Sequence, residues 1–386
     1  MNVSAKSPVL SFSRLGFYFL SLLFGLLLQS ATGRELQFVI SVFRHGDRTP
    51  VSTFPTNTVK ENVWPQGYGQ LTKIGMQQQY ELGVFTKERY KHFLSKAYNR
   101  KEIYVRSTDY DRTIMSAQAN LAGLFPPTYS EIWNENILWQ PIPVHTVPRS
   151  DEKLLSYPIG GCPRFYQLLK ETMADKTFQA LLKGQMKFLA RLAANVGYDL
   201  KTLLDFNNHK LWNVYDALLV QKIHKQARQQ WAGAHAMKTL GKLMEHSLSA
   251  IFGGYKHVEK SRLQGGVFVK AILEKLKKIA QTPSGEKMIL YSAHDITIAA
   301  LQSSLGVFNG KLPPYAACHY FELYKEGNGV FTVQMYYRNS TSAPPHLLTM
   351  PGCSGACSLE KFEELVSPII TDNWNQECNS QMSTPL

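Results

Sequence analysis

Residues 38–43 read FVISVF, apolar but for one serine, inside the β-branched and aromatic stretch ELQFVISVF at 35–43. A short apolar run without alternation predicts a strand buried on both faces, the kind a parallel sheet covered by helices requires. The run stops at Arg44, His45, Gly46, Asp47 and Arg48. Polar and flexible residues therefore stand at the carboxyl end of a strand, which is where open α/β sheets bind ligands. A second apolar run, 288–291, delivers Ser292, Ala293, His294 and Asp295 in the same way, ahead of a helix predicted over about 296–305.

Between these two strand ends the pattern changes. A turn at Gly67-Tyr68-Gly69 leads through Thr72, a suitable cap, into a helical segment reaching about Phe93. A short strand over 102–105 follows. Next, Ile114, Ala117, Leu121 and Leu124 recur at helical spacing until Pro126 and Pro127 stop them, so Arg112 belongs at a helix N-terminus. From about 162 to 255 no strand pattern stands out; 165–168, 178–182, 186–192 and 236–251 read as helices, which suggests a helical insertion or cap. A longer helix is predicted over 266–280. Alternation at 320–324 and 331–337 around Glu326-Gly327-Asn328-Gly329 predicts a hairpin. No internal repeat interrupts this order, and 386 residues suit one large globular enzyme or two closely packed domains.

The first 33 residues stand apart. Lys6 and Arg14 precede an apolar run over 15–28, and Ala31, Thr32 and Gly33 follow it, the layout of a signal peptide. The run is too short for the roughly 20 residues a membrane-spanning helix needs. A soluble mature protein, secreted or held in the lysosomal lumen, is the expectation. The chain is basic, with net charge +13, and stays so without Lys6 and Arg14. That balance fits either a solvated lysine-rich surface or peripheral contact with anionic surfaces, and charge alone does not choose. No nucleic-acid partner is expected. The five cysteines form an odd set, which in an oxidising compartment leaves a thiol unpaired or bridged to another chain. Cys353 and Cys357 lack a second ligand pair, so neither a metal nor another cofactor is expected. Asn339-Ser340-Thr341 is a glycosylation sequon beside a turn-like Ser-Ala-Pro-Pro stretch.

Two histidine-bearing strand ends, one early and one late, predict one composite site at the sheet's carboxyl edge. Arg44 and Arg48 bracket His45, Asp295 follows His294, and another arginine pair lies at Arg106 and Arg112. Arginine forks match phosphate oxygens in geometry, and a helix start at Arg112 adds amide donors. Phosphoryl transfer needs equatorial charge stabilised, a nucleophile and a proton for the departing oxygen. Those needs map onto the arginines, His45 and Asp295. Guanidinium charges nearby disfavour imidazolium, so His45 can stay neutral at acid pH. For Arg106 structural ion pairing is the preferred reading, and His145 is left outside the site as a structural or interface residue.

Arg44-His45-Gly46-Asp47-Arg48-Thr49-Pro50 resembles the RHGxRxP signature of the histidine acid phosphatases. His294-Asp295 resembles that family's second signature, and Arg112 in Ser107-Thr108-Asp109-Tyr110-Asp111-Arg112 matches its third phosphate-binding arginine. The resemblance covers most of 35–378, with further matches in LWQPIPVH (138–145), KSRLQGG (260–266) and YYRN (336–339). It implies hydrolysis of phosphate monoesters with His45 as phosphohistidine nucleophile and Asp295 as proton donor. Arg44, Arg48, Arg112 and His294 would bind phosphate, without metal. It also implies an α/β fold class with a Rossmann-like, mainly parallel sheet flanked by helices, and a homodimer. The α/β unit would comprise 34–145 and 256–378, the inserted helical cap 146–255, and a flexible tail 379–386. The implied disulfides are Cys162–Cys378 and Cys353–Cys357, leaving Cys318 free. Ile296 replaces the family's usual threonine after the acid, which leaves substrate scope open. A phosphomutase of the same superfamily and a basic binding protein that kept only the anion pocket are the alternatives; turnover of a phosphate ester separates the last from an enzyme.

Overall fold

The computed structural model describes residues 33–205, 208–282 and 284–380. Apart from Gly33, the predicted signal peptide lies outside the described residues, as does 381–386 of the predicted tail. One sheet is built from β1 (Glu35–Arg44), β2 (Ile103–Ser107), β3 (Met288–Ala293), β4 (Cys318–Lys325), β5 (Phe331–Arg338), β6 (His346–Leu348) and β7 (Cys357–Ser358). Their order is β2-β3-β1-β4-β5-β6, with β7 also on β5. The sheet is mixed. Strand β3 runs parallel to both β1 and β2, whereas β4 pairs antiparallel with β1 and starts an antiparallel edge with β5, β6 and β7.

The uninterrupted apolar run of β1 is explained by helices on both sides. Phe38, Ile40 and Val42 enter one apolar cluster, and Val39 and Phe43 enter the other. Each such side chain, fully buried, contributes about 1.5–3 kcal/mol relative to exposure. Helices α1 (Lys73–Arg89) and α2 (Asp111–Leu124) cover the Val39 face. Then α3 (Pro163–Ala174), α4 (Lys176–Val196), α5 (Leu200–Leu204), α6 (Lys210–Ile223) and α7 (Ala234–Phe252) follow in succession. Leu189, Leu192, Leu218, Leu240 and Met244 from α4, α6 and α7 form an apolar cluster separate from those on the sheet. After α8 (His257–Leu263), helices α9 (Gly265–Gln281), α10 (Asp295–Ser304) and α11 (Leu359–Val366) cover the Phe38 face. A short α12 (Trp374–Asn379) ends the described chain, so Asn379, assigned to the tail, is helical.

Two differences from the sequence-based reading matter. Strand β2 extends to Ser107, which places Arg106 inside the sheet. Helix α6 was not predicted: its buried stripe is Val214, Ala217, Leu218 and then Gln221, and a buried glutamine blurs the apolar period. Elsewhere local chemistry accounts for the boundaries. Thr72 caps α1, its hydroxyl accepting from the Gly75 amide at 3.1 Å.

Cys162 is bridged to Cys378, tying the start of α3 to α12, and Cys353 is bridged to Cys357. Cys318 is a buried free thiol, 3.1 Å from the Ser41 hydroxyl. Asn339 is exposed immediately after β5.

Candidate active site

The register of the parallel strands brings the two histidines together. Arg44 lies opposite Ala293, and the His45 amide donates to the Ala293 carbonyl at 2.9 Å, so His45 and His294 each stand one residue beyond paired strand ends. Their ring centroids are 5.7 Å apart and nearly perpendicular. The loop after β1 packs directly on α1. A Cβ on Gly46 would fall 2.2 Å from the Gly75 carbonyl oxygen, and one on Gly75 would fall 2.1 Å from that of Asp47. Only glycines permit this approach.

His45 is buried, with Nδ1 2.8 Å from the carbonyl oxygen of Gly46. A carbonyl only accepts, so this hydrogen bond assigns the proton to Nδ1 and leaves the lone pair on Nε2. Burial first, and then the charges of Arg44, Arg112 and Arg48, hold His45 well below the ordinary histidine range. Both effects favour the neutral ring over the imidazolium.

Three arginines surround it electrostatically. Arg44 donates from Nη1 to the Pro313 carbonyl at 2.5 Å, and its Nη2 pairs with Asp295 Oδ2 at 2.9 Å. Arg48 Nη1 lies 2.9 Å from both carboxylate oxygens of Asp216. Arg112, in the first turn of α2, packs its guanidinium 4.7 Å from the Tyr110 ring. The Nε atoms of all three are buried without a hydrogen-bond partner among the described residues. Burial, with the charge of Arg48 beside it, lowers Arg112 to about 10. Crowded cations with unused donors make a site that an anion relieves.

His294 is held through Nε2, 3.0 Å from the Thr108 hydroxyl, and burial with the Arg112 charge pushes it down to about 3. Asp295 opens α10. Burial by itself raises its pKa, but Arg44 and Arg48 outweigh that and keep the carboxyl below its usual range. Arg44, Arg48, Arg112 and Asp295 line a cavity of about 730 Å³, whose walls include Tyr157, Trp212 and Phe252.

All six residues singled out for phosphate chemistry thus converge. Arg106 goes elsewhere: its Nη2 contacts both carboxylate oxygens of Glu152, at 2.9 and 2.8 Å. His145 stacks on Tyr104, centroids 5.1 Å apart. Sequence reasoning missed Asp216, the partner of Arg48, because it sits in the helix that was not predicted. It also missed His224, whose Nε2 is 2.7 Å from the buried Asp47 carboxylate, and Tyr315, whose ring covers Arg44. No sequence motif marks any of the three.

A buried histidine with a free Nε2, an arginine cage and a carboxyl at a sheet's carboxyl edge make a site suited to a phosphate group. The chain belongs to the histidine phosphatase superfamily (branch 2), whose family model matches residues 35–338. Among curated relatives, it is 49% identical over 374 residues to the prostatic acid phosphatase of Homo sapiens, spanning 96% of this chain and 95% of that protein. It is 48% identical over 351 residues to the lysosomal acid phosphatase of Xenopus laevis, spanning 91% and 80% respectively. The apo form of Hafnia alvei phytase superposes with a TM-score of 0.67 at 17% identity, covering 90% of this chain and 99% of that one. At that identity the likeness concerns the fold.

Proposed function

We propose that this protein is an acid phosphatase that hydrolyses phosphate monoesters through a covalent intermediate on His45, with Asp295 as proton donor. The observation that carries the proposal is the His45 Nδ1 contact with the Gly46 carbonyl, which leaves Nε2 free amid three arginines.

In the first step the Nε2 lone pair forms a bond to phosphorus while the bond from phosphorus to the ester oxygen breaks. The proton on Asp295 passes to that oxygen, so an alcohol departs. Arg44, Arg48, Arg112 and His294 surround the phosphoryl oxygens. In the second step water attacks phosphorus, the Asp295 carboxylate takes the water's proton, and the N–P bond breaks to restore neutral His45. The Arg44 guanidinium beside Asp295 holds its carboxyl below the usual range and favours the ionised form. A phosphate that engages Arg44 removes that stabilisation and adds negative charge, and both raise the carboxyl's pKa. The acid thus forms only with substrate bound, most readily at low pH.

The chain's relatives by name are prostatic and lysosomal enzymes, and secretion or delivery to the lysosomal lumen belongs to the same proposal. So does glycosylation at Asn339. The separate apolar cluster of α4, α6 and α7 supports a cap at 146–255 over an α/β unit of 34–145 and 256–378. The exposed side chains of Tyr129, Trp133 and Leu138 support a homodimer that covers them.

Rapid quenching with ³²P-labelled p-nitrophenyl phosphate tests the reading. A label that is labile to acid and stable to base, and is lost in His45→Ala, is the expected result. An acid-stable label, or turnover retained in His45→Ala, contradicts it.

A further inference from the structure

The segment 313–317, between α10 and β4, wraps the end of β1 through the main chain and two side chains. The Pro313 carbonyl accepts from Arg44 Nη1, the Ala317 carbonyl accepts from the Arg44 amide at 2.9 Å, and the Ala316 amide donates to the His45 carbonyl at 3.2 Å. Ala316 is left-handed, at φ +56°, a conformation that costs a non-glycine residue about 1 kcal/mol and persists where the surroundings enforce it. This distortion places Tyr315 on the catalytic side. Its ring lies 4.2 Å from the Arg44 guanidinium carbon and 5.9 Å from the His45 ring. Its hydroxyl is buried with no hydrogen-bond partner among the described residues, and the side chain lines the same cavity as Arg48, Arg112 and Asp295.

We propose that Tyr315 is a further member of the phosphate site: its ring holds the Arg44 fork in place, and its hydroxyl donates a hydrogen bond to the bound phosphoryl group. A guanidinium over an aromatic face is attracted by the ring quadrupole and loses rotational freedom. Arg44 thereby keeps its remaining donors oriented when substrate takes it from Asp295. A buried hydroxyl without a partner carries a desolvation cost that a native protein seldom leaves unmet, and an incoming phosphate oxygen meets it. Burial pushes the phenol up to about 12, so it stays a donor throughout the acid and neutral range. No proton is transferred to or from it in this role.

The inference rests on the phosphatase reading, and two variants separate its halves. Tyr315→Phe removes the hydroxyl and keeps the ring; Tyr315→Leu removes both. For Tyr315→Phe the Ki values of inorganic phosphate and vanadate should rise about 10-fold, the worth of a hydrogen bond to a charged group, with thermal stability unchanged or raised. Tyr315→Leu should add a fall in kcat of about 10-fold or more, measured as single-turnover phosphoenzyme formation under saturating substrate, as Arg44 loses its orientation. Unchanged Ki values in Tyr315→Phe overturn the hydroxyl role. Equal kcat in the Phe and Leu variants overturns the ring role. If the wild-type protein binds phosphate but turns over no ester, the phosphatase reading fails, and the Ki comparison still decides the hydroxyl.

Discussion

Arg48 Nη1 and the carboxylate of Asp216 meet at 2.9 Å, joining the loop after β1 to a helix 168 residues later. Asp216 also accepts from the Val51 amide at 3.0 Å, so one carboxylate anchors both ends of this short loop segment. Eight residues past Asp216 the link is reciprocated, since His224, the C-cap of α6, contacts the Asp47 carboxylate at 2.7 Å. Arg48, the arginine proposed to bind phosphate, is thus positioned from outside the sheet.

Asp216→Asn should lower the stability of the ligand-free protein by on the order of 3 kcal/mol, because removing one member of a buried pair leaves the other charge uncompensated. Added phosphate should restore more stability in the variant than in the wild type, since it supplies the missing anion. Thermal unfolding across a phosphate titration measures both. A phosphate-induced shift no larger than that of the wild type would show that Asp216 does not hold Arg48 for the ligand.

Asp295→Asn preserves shape but cannot protonate the departing oxygen. General acid catalysis contributes about 10² to 10⁴ in rate, so phosphoenzyme formation from alkyl phosphates should slow by that order. Aryl esters such as p-nitrophenyl phosphate, whose leaving group needs little protonation, should slow far less. Equal slowing of both in single-turnover measurements would move the acid role to another residue.

Stability should fall as pH drops from about 6.5 in the absence of ligand. His294, held at about 3, and His45, held well below its ordinary range, refuse protons that the unfolded chain takes up below about 6.5. The unfolded state then binds more protons, so unfolding becomes easier with acid, by about 1.4 kcal/mol per pH unit for each such group until its folded pKa is reached. Asp295, also lowered, acts in the same direction at still lower pH. Phosphate, which favours the protonated histidines, should flatten the dependence. Thermal unfolding between pH 4.5 and 7.5 with and without phosphate provides the measurement, and an apo stability that rises toward acid contradicts it.

One thiol should be titratable per chain, and only after unfolding. Four of the five cysteines are in bridges, and burial raises Cys318 to about 11, so the native protein has neither an accessible nor an ionised thiol. Thiol reagent added before and after guanidinium denaturation, without reductant, should report zero and then one. Reaction of the native protein, or three thiols after unfolding, would mean a different pairing.

Sequence by itself determined the strand run of β1, the Thr72 cap and the candidates Arg44, His45, Arg48, Arg112, His294 and Asp295, because each rests on neighbours a few positions away. Hydrophobic period, a capping threonine and a strand's polar end are local properties of the chain. Tertiary structure alone decided which residues complete the site. Asp216, Tyr315 and Thr108 reach it from 168, 270 and 186 residues away from their partners Arg48, His45 and His294, a separation at which no local pattern carries information. The protonation states are likewise tertiary. The proton on His45 is assigned by the fold of the next peptide, and the pKa values of His45, His294 and Asp295 follow from burial and from charges that only the register of β1 on β3 brings close. The chain's chemistry is written in local residue types, whereas the field in which they act is a sum over distant ones.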